Sequence, residues 1–345
     1  MEAEAPPQVD AAPSPWRRLI PWASLAWGVT SALIMNRDPG RAWLVAVAVL
    51  AGWGALIASI VVTRAPAGGR GLRIAAYSTR TLTQSLIQLT VFFVAPLYWT
   101  AYAGTVGHAL TLAALVVTGG VTLWDPLFER VFARLPLTLA CEAVASFTGL
   151  LAALPLLGLS HATSLTLATL GAVVGLPLVA AATGEPAARL RRVRSGVVAG
   201  ALLAAAVYFG VARWVPPAPL KLAQGVMARG IERSPSGKGG EPIGAAERFD
   251  ATADAPLDKL WCFTSIHAPL GLRERFTHVW RHTPYGEAAP ARETRVELPP
   301  VDGQRKGAWR TWSVRSAPAA GEWTCEVVTS TGQTLGVVEA TVGSP

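Results

Sequence analysis

Two groups of side chains in this sequence have the chemistry to bind a ligand or to carry a proton. The first group lies within long apolar segments: Arg80, Gln84 and Gln88 stand four residues apart in one segment, and Glu142 stands in a later one. Residues spaced by four lie on one face of a helix, so the first three share a face. Ionisable groups inside a membrane span are energetically unfavourable and commonly mark solute sites or proton pathways. These four residues are therefore the candidate intramembrane polar cluster.

We expect Arg80 and Glu142 to form a buried ion pair that both glutamines support. The two charged residues lie at similar distances from the same ends of their segments, which places them at similar depth. Such a pair could belong to a solute or proton site, or it could hold two helices together as a structural clasp. A carboxylate without a second titratable partner makes a poor proton relay, so the clasp is the favoured interpretation.

The second group lies near the C-terminus, on segments in which polar and apolar residues alternate. His278, Trp280 and His282 alternate onto one face of a predicted strand, and Arg310 and Trp312 share a face of another. Aromatic rings that stack on a ligand, together with hydrogen bonds from arginine, suit a sugar or a peptide. The candidate binding face therefore comprises His278, His282, Trp309, Arg310 and Trp312.

The same residues also fit the core of a small sheet domain, which normally needs a large buried tryptophan. That interpretation places Trp280 and Trp323 in the core and gives His278 and Arg310 backbone partners. Of the candidate face, Trp309 and His282 are then the most exposed members. No serine–histidine–aspartate order, zinc-protease motif or paired carboxylates stand out, so we predict no catalytic residue, no cofactor and no metal site.

Seven apolar runs occupy residues 19–214, and each is close to the ~20 residues that cross a bilayer. Charged residues make up only 15% of the chain, against ~25% in soluble domains. The runs are apolar all round and their short connectors carry the charge, which argues against buried helices of a soluble core. We predict seven transmembrane helices, with six or eight as alternatives, over Leu19–Met35, Ala42–Val62, Leu82–Ala103, Val106–Trp124, Leu135–Leu157, Thr163–Ala182 and Gly196–Trp214.

Lysine and arginine side chains in the connectors predict the orientation of these helices. One side of the bundle carries twelve of them and the other side four, and the richer side faces the cytoplasm. The N-terminus is then cytoplasmic, and an odd number of helices places the C-terminal part outside. We therefore expect a bacterial inner-membrane protein surrounded by membrane lipid. The net charge of +8 reflects the cytoplasmic connectors, so nucleic acid is not expected as a partner.

The C-terminal part consists of short alternating segments separated by turn residues, which is typical of strands. We divide the chain into a cytoplasmic tail (1–18), a transmembrane domain (19–215), a linker (216–256) with a short helix at Leu220–Ile231, and a periplasmic domain (257–345). The expected fold class is a membrane all-α bundle followed by an all-β antiparallel sandwich. Strands are predicted near Arg248–Thr252 and over Lys259–Ile266, Arg275–His282, Glu293–Leu298, Ala308–Arg315, Glu322–Thr329 and Leu335–Val342.

The three cysteines differ in their surroundings. Cys141 lies within the fifth apolar run and is expected to be a small packing residue. Cys262 and Cys325 both lie on predicted strands of the outer domain, where the compartment is oxidising. These two could form a disulfide, although the sequence does not show whether their Cα atoms lie within the ~7 Å that a disulfide allows.

Four segments resemble, in order, the bacterial domain of unknown function numbered 2914, and this resemblance covers about Leu257–Val342. The segments are Trp261-Cys262-Phe263-Thr264, Thr277-His278-Val279-Trp280, Trp309-Arg310-Thr311-Trp312-Ser313 and Gly321-Glu322-Trp323. The helical part resembles the membrane domain numbered 5924, which often precedes it. That second resemblance rests on Gln84-Ser85-Leu86-Ile87-Gln88 and Phe92-Phe93-Val94-Ala95-Pro96-Leu97-Tyr98. Neither family implies an established activity, so the resemblance concerns architecture.

The expected function is non-enzymatic: a membrane-anchored periplasmic domain that binds an envelope glycan, lipid headgroup or protein, or that serves as a scaffold. The alternative is a small-solute transporter or a membrane-embedded enzyme that uses the intramembrane polar cluster. A cavity that reaches Glu142 would favour the alternative, whereas a packed Arg80–Glu142 pair would favour the anchor.

Overall fold

The computed structural model describes residues 26, 30, 42–65, 70–99, 106–183, 188–211, 214–215, 220–233, 240–251, 256–268, 273–287, 292–302 and 308–344. The first predicted transmembrane helix, Leu19–Met35, lies outside the described residues except for positions 26 and 30. The other six predicted helices lie within the described residues except for positions 100–103, 212 and 213.

The first half of the chain is helical, as its apolar runs predict. The described α-helices are α1 (Trp43–Arg64), α2 (Arg70–Trp99), α3 (Val106–Leu123), α4 (Asp125–Phe132), α5 (Leu135–Leu156), α6 (His161–Val173), α7 (Leu176–Ala182) and α8 (Arg189–Ala206). A π-helical segment, Val207–Val211, continues α8. Six segments of the described chain are long and apolar enough to cross a membrane: α1, α2, α3, α5, α6 with α7, and α8 with the π-helical segment.

The helical core lies between α1, α2, α5 and α6, where apolar side chains from all four helices are buried together. Its members include Val45, Leu56, Val94, Leu151 and Ala168. The short helix α4 differs from the others because it is amphipathic and carries two acidic residues four positions apart, Asp125 and Glu129. Pro126 in its first turn favours a helix start at this point.

The second half of the chain forms strands. The described strands are β1 (Lys221–Ala228), β2 (Gly230–Arg233), β3 (Gly240–Ile243), β4 (Arg248–Phe249), β5 (Lys259–His267), β6 (Arg273–Glu274), β7 (Phe276–Thr283), β8 (Arg292–Glu297), β9 (Val301–Asp302), β10 (Trp309–Ser316), β11 (Gly321–Thr329) and β12 (Thr334–Val342). The predicted strands are confirmed to within one residue at nearly every end, because their alternating pattern matches the two faces of a sheet.

The described strands are arranged in two main sheets. One has the order β1-β5-β10, the other has the order β4-β12-β11-β7-β8, and β2–β3 and β6–β9 form two small pairs. Neighbouring strands are antiparallel except for β4 and β12, which are parallel. The expected antiparallel arrangement is therefore confirmed for the described strands, with the short β4–β12 pair at one edge as the exception.

The segment predicted as a linker contributes strands to the β region. The predicted helix at Leu220–Ile231 is wrong, because β1 pairs along its length with β5, from Lys221 opposite His267 to Ala228 opposite Trp261. Apolar residues in so short a segment fit either helical or strand spacing, so the spacing alone does not decide. The β region therefore begins close to residue 220, soon after α8.

The two main sheets share apolar side chains and a disulfide. One cluster contains Met227 and Leu260 from the three-stranded sheet together with Trp280 and Val338 from the five-stranded sheet. Cys262 on β5 and Cys325 on β11 form a disulfide with a Cα–Cα distance of 6.5 Å. The disulfide and the shared cluster make the sheets one packed unit.

Candidate functional site

The polar face of α2 contacts the end of α3 and the start of α4. Gln84 Nε2 donates hydrogen bonds to the backbone oxygen of Thr122 at 2.7 Å and to Asp125 Oδ1 at 2.8 Å. Gln88 Nε2 donates to the same Thr122 oxygen at 2.5 Å. Both glutamine side chains are buried. They satisfy a carbonyl near the end of α3, which its own helix would leave unpaired.

Arg80 pairs with Glu129 of α4, and not with Glu142. Arg80 Nη2 lies 2.7 Å from Glu129 Oε1, and the side chains are 25% and 58% exposed. Arg80 and Gln84 are one helical turn apart, as are Asp125 and Glu129, so two matched turns of α2 and α4 face each other. The predicted Arg80–Glu142 clasp is wrong because α4, a short helix between two apolar runs, provides nearer acidic partners.

Glu142 is buried separately, between α5 and α1. Its side chain is 2% exposed, Oε1 lies 3.5 Å from the Ser146 hydroxyl, and Oε2 has no hydrogen-bond partner among the described residues. A Cβ atom at Gly52 of α1 would lie 2.6 Å from Glu142 Oε1. Gly52 thus leaves the space that the carboxyl group occupies. The predicted cluster is therefore divided into the α2–α4 contact and an isolated carboxyl group.

We expect Arg80→Ala to reduce the free energy of unfolding by no more than about 1 kcal/mol, because the ion pair with Glu129 is partly solvent-exposed. Glu129→Ala should have an equally small effect, and the double variant should lose about as much as either single variant. Chemical unfolding of the purified variants, followed by circular dichroism, measures these differences. A loss of several kcal/mol at Arg80 alone would contradict the surface character of the pair.

His278 of the candidate binding face lies between the two sheets and cannot present its ring to a ligand. The side chain is fully buried; Nδ1 lies 2.7 Å from Ser313 Oγ and Nε2 lies 3.0 Å from Thr264 Oγ1. Burial lowers the pKa of His278 to about 4, so the ring is neutral at pH 7. The Ser313 hydroxyl also accepts a hydrogen bond from Trp280 Nε1 at 2.8 Å. This polar chain holds the sheets in register.

The other members of the candidate face do not form one surface. Trp309 is half-buried against the apolar cluster that contains Ile266 and Phe276, so the expectation that it is among the most exposed members is wrong. His282 is also half-buried; it stacks on Trp323 with ring centroids 4.6 Å apart, and its Nε2 lies 3.0 Å from the backbone oxygen of Ala320. Inward-facing strand positions, which alternate with outward ones, explain these placements.

Arg310 and Trp312 do face outward on β10, and they meet the β2–β3 hairpin. Arg310 forms an ion pair with Glu241 of β3. A Cβ atom at Gly240 would lie 3.3 Å from Trp312 Cζ3, so the hairpin passes close over this ring. The outward row continues to Val314, which is 37% exposed.

A buried polar junction joins the β region to the helices. Glu274 of β6 lies at the N-terminus of α6, where Oε2 accepts a hydrogen bond from the backbone N–H of His161 at 3.3 Å. Its Oε1 accepts hydrogen bonds from the N–H groups of Arg275 and Ser330 and, at 2.5 Å, from the Ser330 hydroxyl. A carboxylate is favoured at this end of a helix because the unpaired N–H groups carry partial positive charge.

Gln333 completes the junction by bridging the start of α6 and Val215, a residue beyond the π-helical segment that is buried in the helical core. Its Nε2 donates to the backbone oxygen of Val215 at 2.7 Å, shortly after the π-helical segment, and its Oε1 contacts His161 Nε2. Glu274, Gln333 and His161 are 4%, 1% and 1% exposed. The β region is thus bonded both to the start of α6 and to the end of α8.

Sequence reasoning missed the junction because its members are far apart in the chain: 172 residues separate His161 from Gln333. A polar residue in a turn, such as Gln333, is usually solvated, so the sequence does not indicate that its side chain makes a buried contact. The α2–α4 contact, in contrast, is indicated in the sequence, because Asp125 and Glu129 have the same four-residue spacing as Arg80 and Gln84.

The comparisons with known proteins match the two parts of this chain. The family of unknown function DUF5924 matches residues 7–247, and the protein family of unknown function DUF2914 matches residues 273–342. The first match extends beyond the helices and through β1, β2 and β3. No curated protein matches the chain.

Among solved structures, the chain is similar to Pseudomonas fluorescens alkylpurine DNA glycosylase AlkC bound to DNA containing an abasic site analog. The similarity has 10% sequence identity, covers 91% of this chain and 99% of that chain, and has a TM-score of 0.24. A TM-score this low carries no argument about fold or function.

Proposed function

Because this chain belongs to the DUF5924 family, whose function is unknown, we propose a role from its own contacts. The protein is a polytopic inner-membrane scaffold without catalytic activity, and it holds a periplasmic β-sandwich in a fixed position at the membrane surface. The sandwich binds a component of the cell envelope: a glycan, a lipid headgroup or another protein. The observation that carries this proposal is the buried junction of Glu274, Gln333 and His161.

The junction supports a fixed rather than a tethered β-sandwich. Polar groups that are buried with satisfied hydrogen bonds hold one geometry, since any displacement would leave donors or acceptors unpaired. Domains joined only by a flexible linker move relative to each other by default. The Glu274 carboxylate at the start of α6 and the Gln333 amide between His161 and Val215 are buried, hydrogen-bonded contacts. They therefore favour a fixed position.

Two further observations support a periplasmic location of the β region. The Cys262–Cys325 disulfide is of a kind that persists in oxidising compartments. In the orientation predicted from lysine and arginine, the start of α6 and the end of α8 both lie outside, and these are the two points that the β region contacts. The disulfide and the charge distribution are independent of each other, and they favour the same side.

The outward row of β10, formed by Arg310, Trp312 and Val314, is the surface we assign to the partner. Arg310 and Trp312 also contact the β2–β3 hairpin, but they face outward, whereas the remaining members of the candidate binding face lie between the sheets or against other parts of the β region. Among the described strands, β10 pairs only with β5, so its second edge offers backbone groups to an extended partner. An aromatic ring and an arginine beside such an edge suit recognition of a protein segment or a sugar.

The transporter alternative has less support. Arg80, Gln84 and Gln88 are engaged with α3 and α4, so they do not gather around Glu142. An isolated carboxyl group remains, and a solute site normally needs several convergent polar groups. The contacts between the β region and the helices, in contrast, support a scaffold role.

We expect alkaline phosphatase fused to the C-terminus to be active and green fluorescent protein fused there to be dark, because the twelve-to-four distribution of lysine and arginine directs this end out of the cytoplasm. The same two reporters fused after Arg134, between α4 and α5, provide the matched control and should give the opposite pattern. Fluorescent and phosphatase-negative C-terminal fusions would refute the periplasmic placement.

A further inference from the structure

A lateral groove of about 620 Å³ opens in the helical part between α3, α5, α6 and the end of α8. Its volume lies within the ~300–1,000 Å³ range of ligand pockets. The groove exists because α8 is held mainly through its first half: its buried residues are Gly196 and Gly200, and Gly196 lies against Pro177 of α7. Beyond them, Leu203 and Val207 line the groove opposite residues of α3 and α5, such as Ala114 and Phe147.

The lining of the groove is almost entirely apolar. Among its lining side chains only Thr111, Thr148 and Trp214 contain polar atoms. The Thr111 hydroxyl donates to the Gly107 oxygen at 2.8 Å, and the Thr148 hydroxyl donates to the Val144 oxygen at 2.7 Å. Both hydroxyls are thus satisfied by their own helices. A polar solute would lose its hydration here without receiving hydrogen bonds in return.

The length and the closed end of the groove define the shape of its occupant. Ala140 and Thr148, which both line the groove, are eight residues apart on α5, which corresponds to about 12 Å along a helix. One leaflet of a bilayer has a hydrocarbon thickness of about 15 Å. The groove ends where α3 meets the chain after α8, because a Cβ atom at Gly107 would overlap the carbonyl oxygen of Trp214. Trp214 itself is half-exposed at this end.

One wall of the groove is the π-helical segment, which contributes Val207 and Gly210. π-Helical turns are less stable than α-helical ones and are frequently found at functional sites. Val215, which also lines the groove, accepts the Gln333 hydrogen bond through its backbone oxygen. The groove is therefore continuous with the junction that holds the β region.

We propose that this groove binds one acyl chain of a bilayer phospholipid, taken from the leaflet on the side of the β region. The inference rests on the proposed membrane insertion and goes beyond the scaffold role, because it assigns a specific ligand. The lipid fills the space between α8 and the rest of the bundle. It thereby supports the point at which Val215 receives the hydrogen bond from Gln333.

The test is phospholipid retention by the full chain, purified from membranes in a mild detergent. Native mass spectrometry and phosphorus analysis give the number of phospholipids per chain. Ala114→Phe and Ala143→Phe place a ring inside the groove, whereas Ala113→Phe places the same ring on the exposed face of α3 and is the matched control. We expect about one retained phospholipid for the unaltered chain and for Ala113→Phe, and about tenfold lower occupancy for both groove variants.

Equal retention by Ala114→Phe, Ala143→Phe and Ala113→Phe would overturn the proposal, as would an unaltered chain that retains no phospholipid. If a groove variant fails to fold, a phospholipid with a photoreactive acyl chain is bound to the unaltered chain instead, and its cross-links should map to α3 and α8. A photoreactive residue at position 114 that captures residues 19–35 would assign the groove to that segment and overturn the proposal. Absence of the chain from membranes would instead refute the proposed function.

Discussion

Trp280→Ala is expected to lower the free energy of unfolding of the β region by about 3–5 kcal/mol, since a large buried aromatic side chain leaves a cavity when truncated. The Trp280 side chain is 1% exposed, and its ring contacts Trp323 edge-to-face with centroids 6.0 Å apart. The guanidinium of Arg315 lies 5.6 Å from the ring centre. Loss of the indole also leaves the buried Ser313 hydroxyl without the Trp280 N–H donor.

Trp312→Ala is the matched control for this prediction, because it removes the same side chain from the outward face of β10. We expect a smaller effect, of about 1–2 kcal/mol, because Trp312 is only half-buried, under the β2–β3 hairpin. Trp309→Ala should also cost less than Trp280→Ala, since Trp309 is half-buried in the apolar cluster that contains Ile266 and Phe276. Calorimetry of the full chain gives all three values. A loss at Trp312 equal to that at Trp280 would show that the hairpin over β10 is part of the core.

Replacing both Glu274 and Gln333 with alanine is expected to release the β region from the helices while leaving both parts folded. Each truncation leaves buried partners unpaired, at about 1–3 kcal/mol per group. Glu274→Ala exposes the N-terminus of α6, and Gln333→Ala removes the bridge to Val215. Local opening should therefore become about ten- to a hundredfold more frequent at this contact.

Hydrogen exchange measured by mass spectrometry should show this opening at residues 159–164 and 329–334. Glu322→Ala, which removes an exposed carboxylate from the same β region, should leave exchange at both segments unchanged. Unaltered exchange in the Glu274 and Gln333 double variant would mean that the fixed position of the β region has another cause. Faster exchange throughout β5, β7 and β11 would indicate general unfolding rather than release.

The features that were predictable from the sequence are those set by local periodicity and composition. The six apolar segments from α1 to α8 needed only length and the absence of charge. β5, β7, β10, β11 and β12 were predictable because their inward residues alternate with polar ones and because turn residues separate them. Trp280 was correctly assigned to the core, since a small sheet region needs at least one large buried side chain.

The features that were not predictable depend on which partner is nearest in three dimensions. Helical depth indicated Glu142 as the partner of Arg80, whereas α4 brings Glu129 closer. β1 was not recognised because an edge strand is defined by its neighbour β5 more than by its own pattern. The candidate binding face was overestimated for a related reason: alternation shows which residues share a face of a strand, but not which face is inward.

The Cys262–Cys325 disulfide has a consequence for how this gene could have been assembled. The DUF2914 match begins at residue 273, so Cys325 lies inside it and Cys262 lies outside. β1 and β5, which supply much of the three-stranded sheet, also precede it, and β1 lies within the DUF5924 match. Residues 273–342 transplanted to another anchor would therefore lack the five described strands β1 to β5 and one of the two disulfide cysteines. In this chain the boundary between the two family matches therefore does not coincide with a structural boundary, because the β region takes strands from both sides of it.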